Sequence, residues 1–271
     1  MYNNTLYDQH IHSSLSYDGD QKNTIPNIID IAVGLGLAGI AVTDHFDPLW
    51  PDETDLNCLD IEAYERALTE AEPLVNGRIR FAKGIELGFI PGETLEICEK
   101  AVISYPYDFV IGSVHYSQAA PIEHPLFQEG RPLKDIVEEY YALILDSIKD
   151  FTNYDVLGHI NCIDRYTEGL PAPDLFMPYV EEIMRVAISD GKGIEINTSA
   201  FRYGLADRGT PTQPILDLYK ELGGEIVTIG SDAHQPEHIG TFIKEGEEML
   251  LASGIRYLTV FSERRPEFIR L

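Results

Sequence analysis

The chain has 271 residues, 44% hydrophobic and 24% charged, the composition of a globular protein long enough for one barrel-sized domain. Its 45 acidic against 20 basic residues give a formal charge of −25, which repels phosphate polymers and anionic membrane surfaces and argues against long nucleic acid or a membrane as partner. No basic n-region followed by an apolar core opens the sequence, and no run approaches the roughly 18 apolar residues of a membrane helix, so a cytoplasmic protein is expected.

In chain order, Ile-, Val- and Phe-rich runs predict strands over 6–12, 39–44, 80–87, 109–115, 155–159, 193–197 and 225–231. Segments of helical period alternate with them over 25–35, 61–75, 93–104, 133–151, 176–189, 212–222 and 237–252. Thr24, Asp60 and Thr210 are the expected N-caps, Thr210 with Pro211 at the first helical position, and "DG" at 190–191 and "GG" at 223–224 end helices. The closing "RYLTVFSERRPEFIRL" adds a final short strand and a tail. Seven βα alternations without linker, repeat or low-complexity tract predict a single parallel α/β barrel. No GxGxxG follows the first strand, so a dinucleotide-binding sheet has no local support. Cys58, Cys98 and Cys162 form no CxxC pair and are expected as small buried hydrophobes.

The chemistry gathers at the strand ends, as it does in parallel barrels. In "DQHIH" the alternation of a strand puts Asp8, His10 and His12 on one face, where two imidazoles are better satisfied by a shared cation than by protons. The second strand ends "VTDH" with Asp44 and His45, the third "GIELG" with Glu86, the fourth "GSVH" with His115, the fifth "GHIN" with His159, and the seventh "GSDAH" with Asp232 and His234. Six of eight histidines stand there; His124 and His238 fall elsewhere. A donor set of imidazole and carboxylate predicts zinc, manganese or iron and excludes thiolate-selective chemistry.

These ordered motifs resemble the PHP superfamily of metal-dependent phosphoesterases, and within it the PHP-type histidinol-phosphate phosphatases, over essentially the whole chain. The resemblance implies a distorted TIM-like (β/α)7 barrel spanning 1–271 and two to three divalent transition metals. It implies that His10, His12, Glu86 and Asp232 hold one ion, Glu86, His115 and His159 a second, and Asp18, His45 and His234 a third. Asp18 stands where some members of the family have histidine. Glu86, Asp232 and His234 are the ligands expected to be catalytic. Asp8 is expected to orient an imidazole; Asp44, adjacent to His45, is expected to support the site or the fold.

Two ions sharing a carboxylate would lower the pKa of a water from ~15.7 towards ~7 and stabilise charge on a phosphoryl oxygen. A monoester dianion asks for further positive charge, and Arg165 and Arg202 stand near the right strand ends. From the chemistry alone either could instead pair with Asp164 or Asp207. The resemblance of "EINTSAFRYG" favours Arg202 as the phosphate contact. Trp50, Phe201 and Tyr203 are candidates to face the rest of the substrate. The implied reaction is hydrolysis of L-histidinol phosphate, with a small phosphorylated metabolite as partner and no obligate protein partner. Another phosphatase or phosphodiesterase on the same barrel, or a non-catalytic metal-stabilised scaffold, are the competing readings.

Overall fold

Short β-branched runs buried on both faces alternate with one-sided amphipathic helices, and that pattern can close only as a parallel sheet wrapped by helices. The computed structural model describes residues 6–51, 59–205 and 209–271. Its first half runs β1 (Tyr7–Ile11), α1 (Ile25–Leu35), β2 (Gly39–Val42), β3 (His45–Phe46), α2 (Ile61–Val75), β4 (Arg80–Gly88), α3 (Glu93–Ser104) and β5 (Phe109–Ser113). Then follow α4 (Pro125–Gln128), α5 (Leu133–Asp150), β6 (Val156–Leu157), α6 (Pro173–Ser189), β7 (Gly193–Asn197), α7 (Gln213–Glu221), β8 (Val227–Gly230), α8 (Ile243–Ala252), β9 (Tyr257–Ser262) and β10 (Arg265–Arg270).

Parallel pairing orders the strands β1-β2-β4-β5-β6-β7-β8, with the two-residue β3 attached to β4. The two ends of this path meet just beyond the strands: His12 N donates to Ala233 O at 2.9 Å and Asp232 N to His10 O at 2.8 Å. The result is a nearly closed barrel. Among the described residues, no helix is long and apolar enough to cross a membrane.

Helix α5 illustrates the outer layer: Ile136, Val137, Tyr140, Tyr141, Ile144 and Ile148 recur at helical spacing and are all buried. A smaller apolar cluster has Ala41, Ala82, Ile111 and Val156 packed around Phe109 and Phe261.

Phe261 belongs to the largest departure from expectation. In place of one strand and a tail, β9 and β10 form an antiparallel hairpin that covers the end of the barrel where the strands begin. Phe261 stacks on Phe109 with ring centroids 5.0 Å apart. Arg264 Nε donates to Asp155 Oδ2 at 2.5 Å, Arg80 pairs with Glu267 at 2.7 Å, and Val227 N donates to Thr259 Oγ1 at 3.1 Å.

Thr24 and Asp60 cap α1 and α2 as expected, accepting from Asn27 N and Ala63 N. Thr210 does not: it bridges Asn197 ahead of a cis Thr210–Pro211 bond, and Thr212 precedes α7. The predicted helix over 237–252 is divided, because Gly240 and Phe242 adopt left-handed φ values of 72° and 60° between a 3-10 turn at Pro236–His238 and α8. The strand predicted over 39–44 stops at Val42, where Asp44 turns to bind Ser13. Cys98 is buried and free; Cys162 is buried with its Sγ 3.2 Å from Tyr140 Oη. Cys58 and Asp207 lie outside the described residues.

Candidate metal centre

Because each strand runs into its loop at the same end of the barrel, side chains from β1, β3, β4 and the segments after β5, β6 and β8 converge there. Glu86, on β4 and fully buried, is the hub. Its Oε2 lies 3.1 Å from His10 Nε2 and 3.5 Å from His12 Nε2, while Asp232 Oδ1 lies 3.6 and 3.3 Å from the same two atoms. Its Oε1 lies 3.3 Å from His115 Nε2 and 2.9 Å from His159 Nε2. Asp18 Oδ2 lies 2.9 Å from His234 Nε2 and 3.6 Å from His45 Nε2. All nine expected side chains thus gather as three neighbouring groups. His45 also turns its Nδ1 to within 2.9 Å of Glu86 Oε2, out of hydrogen-bonding alignment, and so lies between two of them.

Protons reconcile this crowd poorly. His12 stacks against His45 and His234 at centroid distances of 4.1 and 4.0 Å, and its Nε2 is 2.9 Å from that of His10. Burial together with the neighbouring imidazoles pushes the His12 pKa well below its ordinary value. Burial acts the same way on His10, but the carboxylates of Glu195, Glu86 and Asp232 outweigh it and hold that pKa well above ordinary. His115 and His159 are likewise raised against burial, to about 9 and about 10, with Asp47 the largest opposing influence on the first and Cys162 on the second. Glu86 and Asp232 are held well below the usual carboxylate range despite burial, by His10 foremost. Nine converging donors with opposed proton affinities fit divalent cations, each of which binds neutral imidazole and ionised carboxylate together.

Two orienting carboxylates escape the sequence reading. Glu195 Oε1 is 2.6 Å from His10 Nδ1, and its Oε2 accepts from His159 N and Asn197 Nδ2, both at 3.1 Å. Asp47 Oδ1 is 2.7 Å from His115 Nδ1. Each fixes the ring proton on Nδ1 and leaves the Nε2 lone pair facing its group. Their approach requires glycine opposite: a Cβ on Gly230 would overlap His10, and one on Gly88 would overlap the Asp47 carboxylate. The available signal was the strand period, which sets Glu195 with Asn197 and Asp47 with His45.

Asp8 acts differently from expectation, whereas Asp44 supports the fold as expected. Asp8 touches no imidazole; it accepts from Ser231 N at 2.8 Å, Ser231 Oγ at 2.6 Å and Gly240 N at 2.7 Å, securing the loop that carries Asp232 and His234. Asp44, its pKa raised to about 6 by burial, accepts from Ser13 N and Oγ and anchors the backbone after His12.

The two arginines stand in different settings. Arg202 donates through Nη1 to Ser231 O at 2.7 Å and through Nη2 to Asp232 O at 2.9 Å, so both groups serve the backbone of that loop, where Asp232 has a left-handed φ of 54°. Arg165 instead stands on the wall of a cavity of about 230 Å³ that opens onto the centre beside His45, His159, Asp232 and His234. Its Nη2 bonds Ser199 Oγ and reaches Asn197 Oδ1 at 3.4 Å, and its guanidinium lies 4.6 Å over the Tyr203 ring. Asp164 Oδ2 accepts from Asn161 Nδ2 at 3.0 Å. Trp50 and Tyr203 line the cavity, whereas Phe201 packs on Phe242 at 5.5 Å. His124 caps α4, and His238 ends a 3-10 turn.

The geometry has counterparts among known proteins. The "Probable histidinol-phosphatase" of Clostridium acetobutylicum is 29% identical over 96% of this chain and 98% of its own. The histidinol-phosphatase of Lactococcus lactis is 28% identical over 94% of both. A crystal structure of histidinol phosphate phosphatase from Lactococcus lactis, complexed with zinc, L-histidinol and phosphate, superposes with a TM-score of 0.87 at 25% identity, covering 96% of this chain and 98% of that one. Residues 8–199, which carry seven of the nine converging side chains, match the PHP domain, and the chain belongs to that family.

Proposed function

We propose that this protein is a metal-dependent phosphomonoesterase that hydrolyses L-histidinol phosphate to L-histidinol and phosphate in the cytoplasm, acting as a single PHP-type barrel. The observation that carries the reading is the convergence of three neighbouring donor groups, two of them sharing Glu86, beside a cavity walled by Arg165, in a chain alike over nearly its full length to histidinol-phosphatases.

On this reading His10, His12, Glu86 and Asp232 hold one ion, Glu86, His115 and His159 another, and Asp18, His45 and His234 a third, with zinc, manganese or iron all suited to the donors. Such ions supply Lewis acidity and an activated water at neutral pH. The chain does the rest. Glu195 and Asp47 keep the Nδ1 protons of His10 and His115 in place, so that the Nε2 atoms are fixed in direction and made stronger donors to a cation. Glu86, further held by Ser113 Oγ at 2.7 Å, presents one oxygen to each of two groups. Arg165, buried yet bordering the cavity, offers its planar fork to phosphoryl oxygens, and Tyr203, Ser199 and Asn197 pre-set its orientation. Water supplies the oxygen gained by phosphorus, and the leaving oxygen takes a proton to become the hydroxyl of L-histidinol.

Purified without chelator, the protein should carry two to three transition-metal equivalents. It should turn over L-histidinol phosphate with a kcat/KM well above that for sugar phosphates or nucleotides. A preference for one of the latter would assign another substrate to the same barrel, and zero turnover by a fully metallated sample would make it a scaffold.

A further inference from the structure

Three carboxylates reach the wall of the cavity: Asp18, Glu123 and Asp232. Asp18 and Asp232 face imidazoles at 2.9 and 3.3 Å. Glu123 is committed to nothing: it makes no hydrogen bond or ion pair among the described residues. It stands exposed at the outer edge, where the cavity runs into a wider one of about 760 Å³ that Glu123, Arg165 and Tyr166 also border. Tyr17 and Tyr166 line the same cavity. Tyr17 and Trp50, with ring centroids 5.9 Å apart, add flat apolar surface beside it.

The cavity therefore brings together positive charge at Arg165, aromatic surface at Tyr17 and Trp50, and an unpaired carboxylate exposed to solvent. A ligand complementary to that set carries an anionic group, a planar or apolar part and a cationic group. We propose that Glu123 is a specificity residue that binds the ammonium group of a phosphate ester of an amino alcohol. The inference rests on the phosphomonoesterase reading and goes beyond it by naming what selects the substrate. An unpaired carboxylate favours an ammonium through a charge-assisted hydrogen bond, and it repels the additional phosphates of a nucleotide. Sugar phosphates, which lack the cation, leave it unsatisfied.

The test compares matched esters that differ only in the amine: L-histidinol phosphate against its desamino analogue, and 2-aminoethyl phosphate against ethyl phosphate. The zinc-loaded wild type should favour the ammonium-bearing member of each pair. Glu123→Gln should reduce that preference by about 10- to 100-fold, chiefly through KM for the amino ester, and Glu123→Asp should restore part of it. Calorimetric titration of L-histidinol into protein saturated with inorganic phosphate should show the same order of affinity. Absence of preference in the wild type, a preference intact in Glu123→Gln, or an equal loss on both members of a pair overturns the role of Glu123 while leaving the phosphatase reading standing. Failure of the wild type on every monoester overturns that reading and the inference with it.

Discussion

At the scale of single residues, the candidate metal ligands were legible because imidazole is scarce and strand ends are few: six histidines stood where loops begin, and the structure brings all six together. Glu195 and Asp47 were not singled out, because strand period puts many of the 45 acids on a site-facing side and only the ring partner distinguishes these two. The settings of the two arginines were not legible for a related reason. Which of two guanidiniums faces a cavity depends on carbonyl directions in a distant loop, and Arg202 donates to the Ser231 and Asp232 carbonyls while Arg165 borders the cavity. The two therefore predict different losses. Arg165→Ala should lower kcat/KM by about 30- to 1,000-fold, the equivalent of about 2–4 kcal/mol, weaken inhibition by inorganic phosphate and leave metal content unchanged. Arg202→Ala should instead loosen the Asp232 loop, and its activity should fall together with bound metal and recover in part with excess zinc. Measuring kcat/KM, phosphate inhibition and metal content on both variants decides it; the opposite pattern would return phosphate binding to Arg202.

At the scale of elements, seven strands and most helices followed from period and punctuation, since burial on both faces leaves an unmistakable apolar run. The hairpin did not. Its turn is made by Glu263 and Arg264 at φ 50° and 63°, a mirror-type turn normally announced by Asn-Gly, so the sequence carried no signal for it. What holds the turn is tertiary: Glu263 N donates to Asp108 Oδ1 at 2.9 Å, and Arg264 meets the buried Asp155 carboxylate. Burial raises the Asp155 pKa above its ordinary value, with Arg264 the foremost opposing influence. A raised carboxylate contributes most below its unfolded pKa and loses that contribution as pH climbs through the folded one. Arg264→Ala removes the opposing charge and raises that pKa further, so its cost should grow with pH: small near pH 4 and about 2–3 kcal/mol at pH 8. Urea unfolding of variant and wild type at the two pH values is the check, and a pH-independent difference would mean that Arg264 acts by packing alone.

At the scale of the whole molecule, the centre exists only once the first and last strands of the barrel have met, since His10 and His12 come from one end of the sheet and Asp232 and His234 from the other. The hairpin described above has a counterpart consequence for traffic. With Phe261 stoppering the end where the strands begin, the cavity lies at the metal side of the barrel, and Glu123 stands exposed on its wall. On the proposed reading, with phosphate held at the buried centre and the ammonium at Glu123, the alcohol lies nearer solvent and is expected to depart first, phosphate second. Steady-state kinetics should therefore show inorganic phosphate competing with the ester for the empty enzyme, and L-histidinol acting as a noncompetitive inhibitor that rebinds while phosphate is still inside. Competitive inhibition by L-histidinol would mean that phosphate can leave ahead of the alcohol.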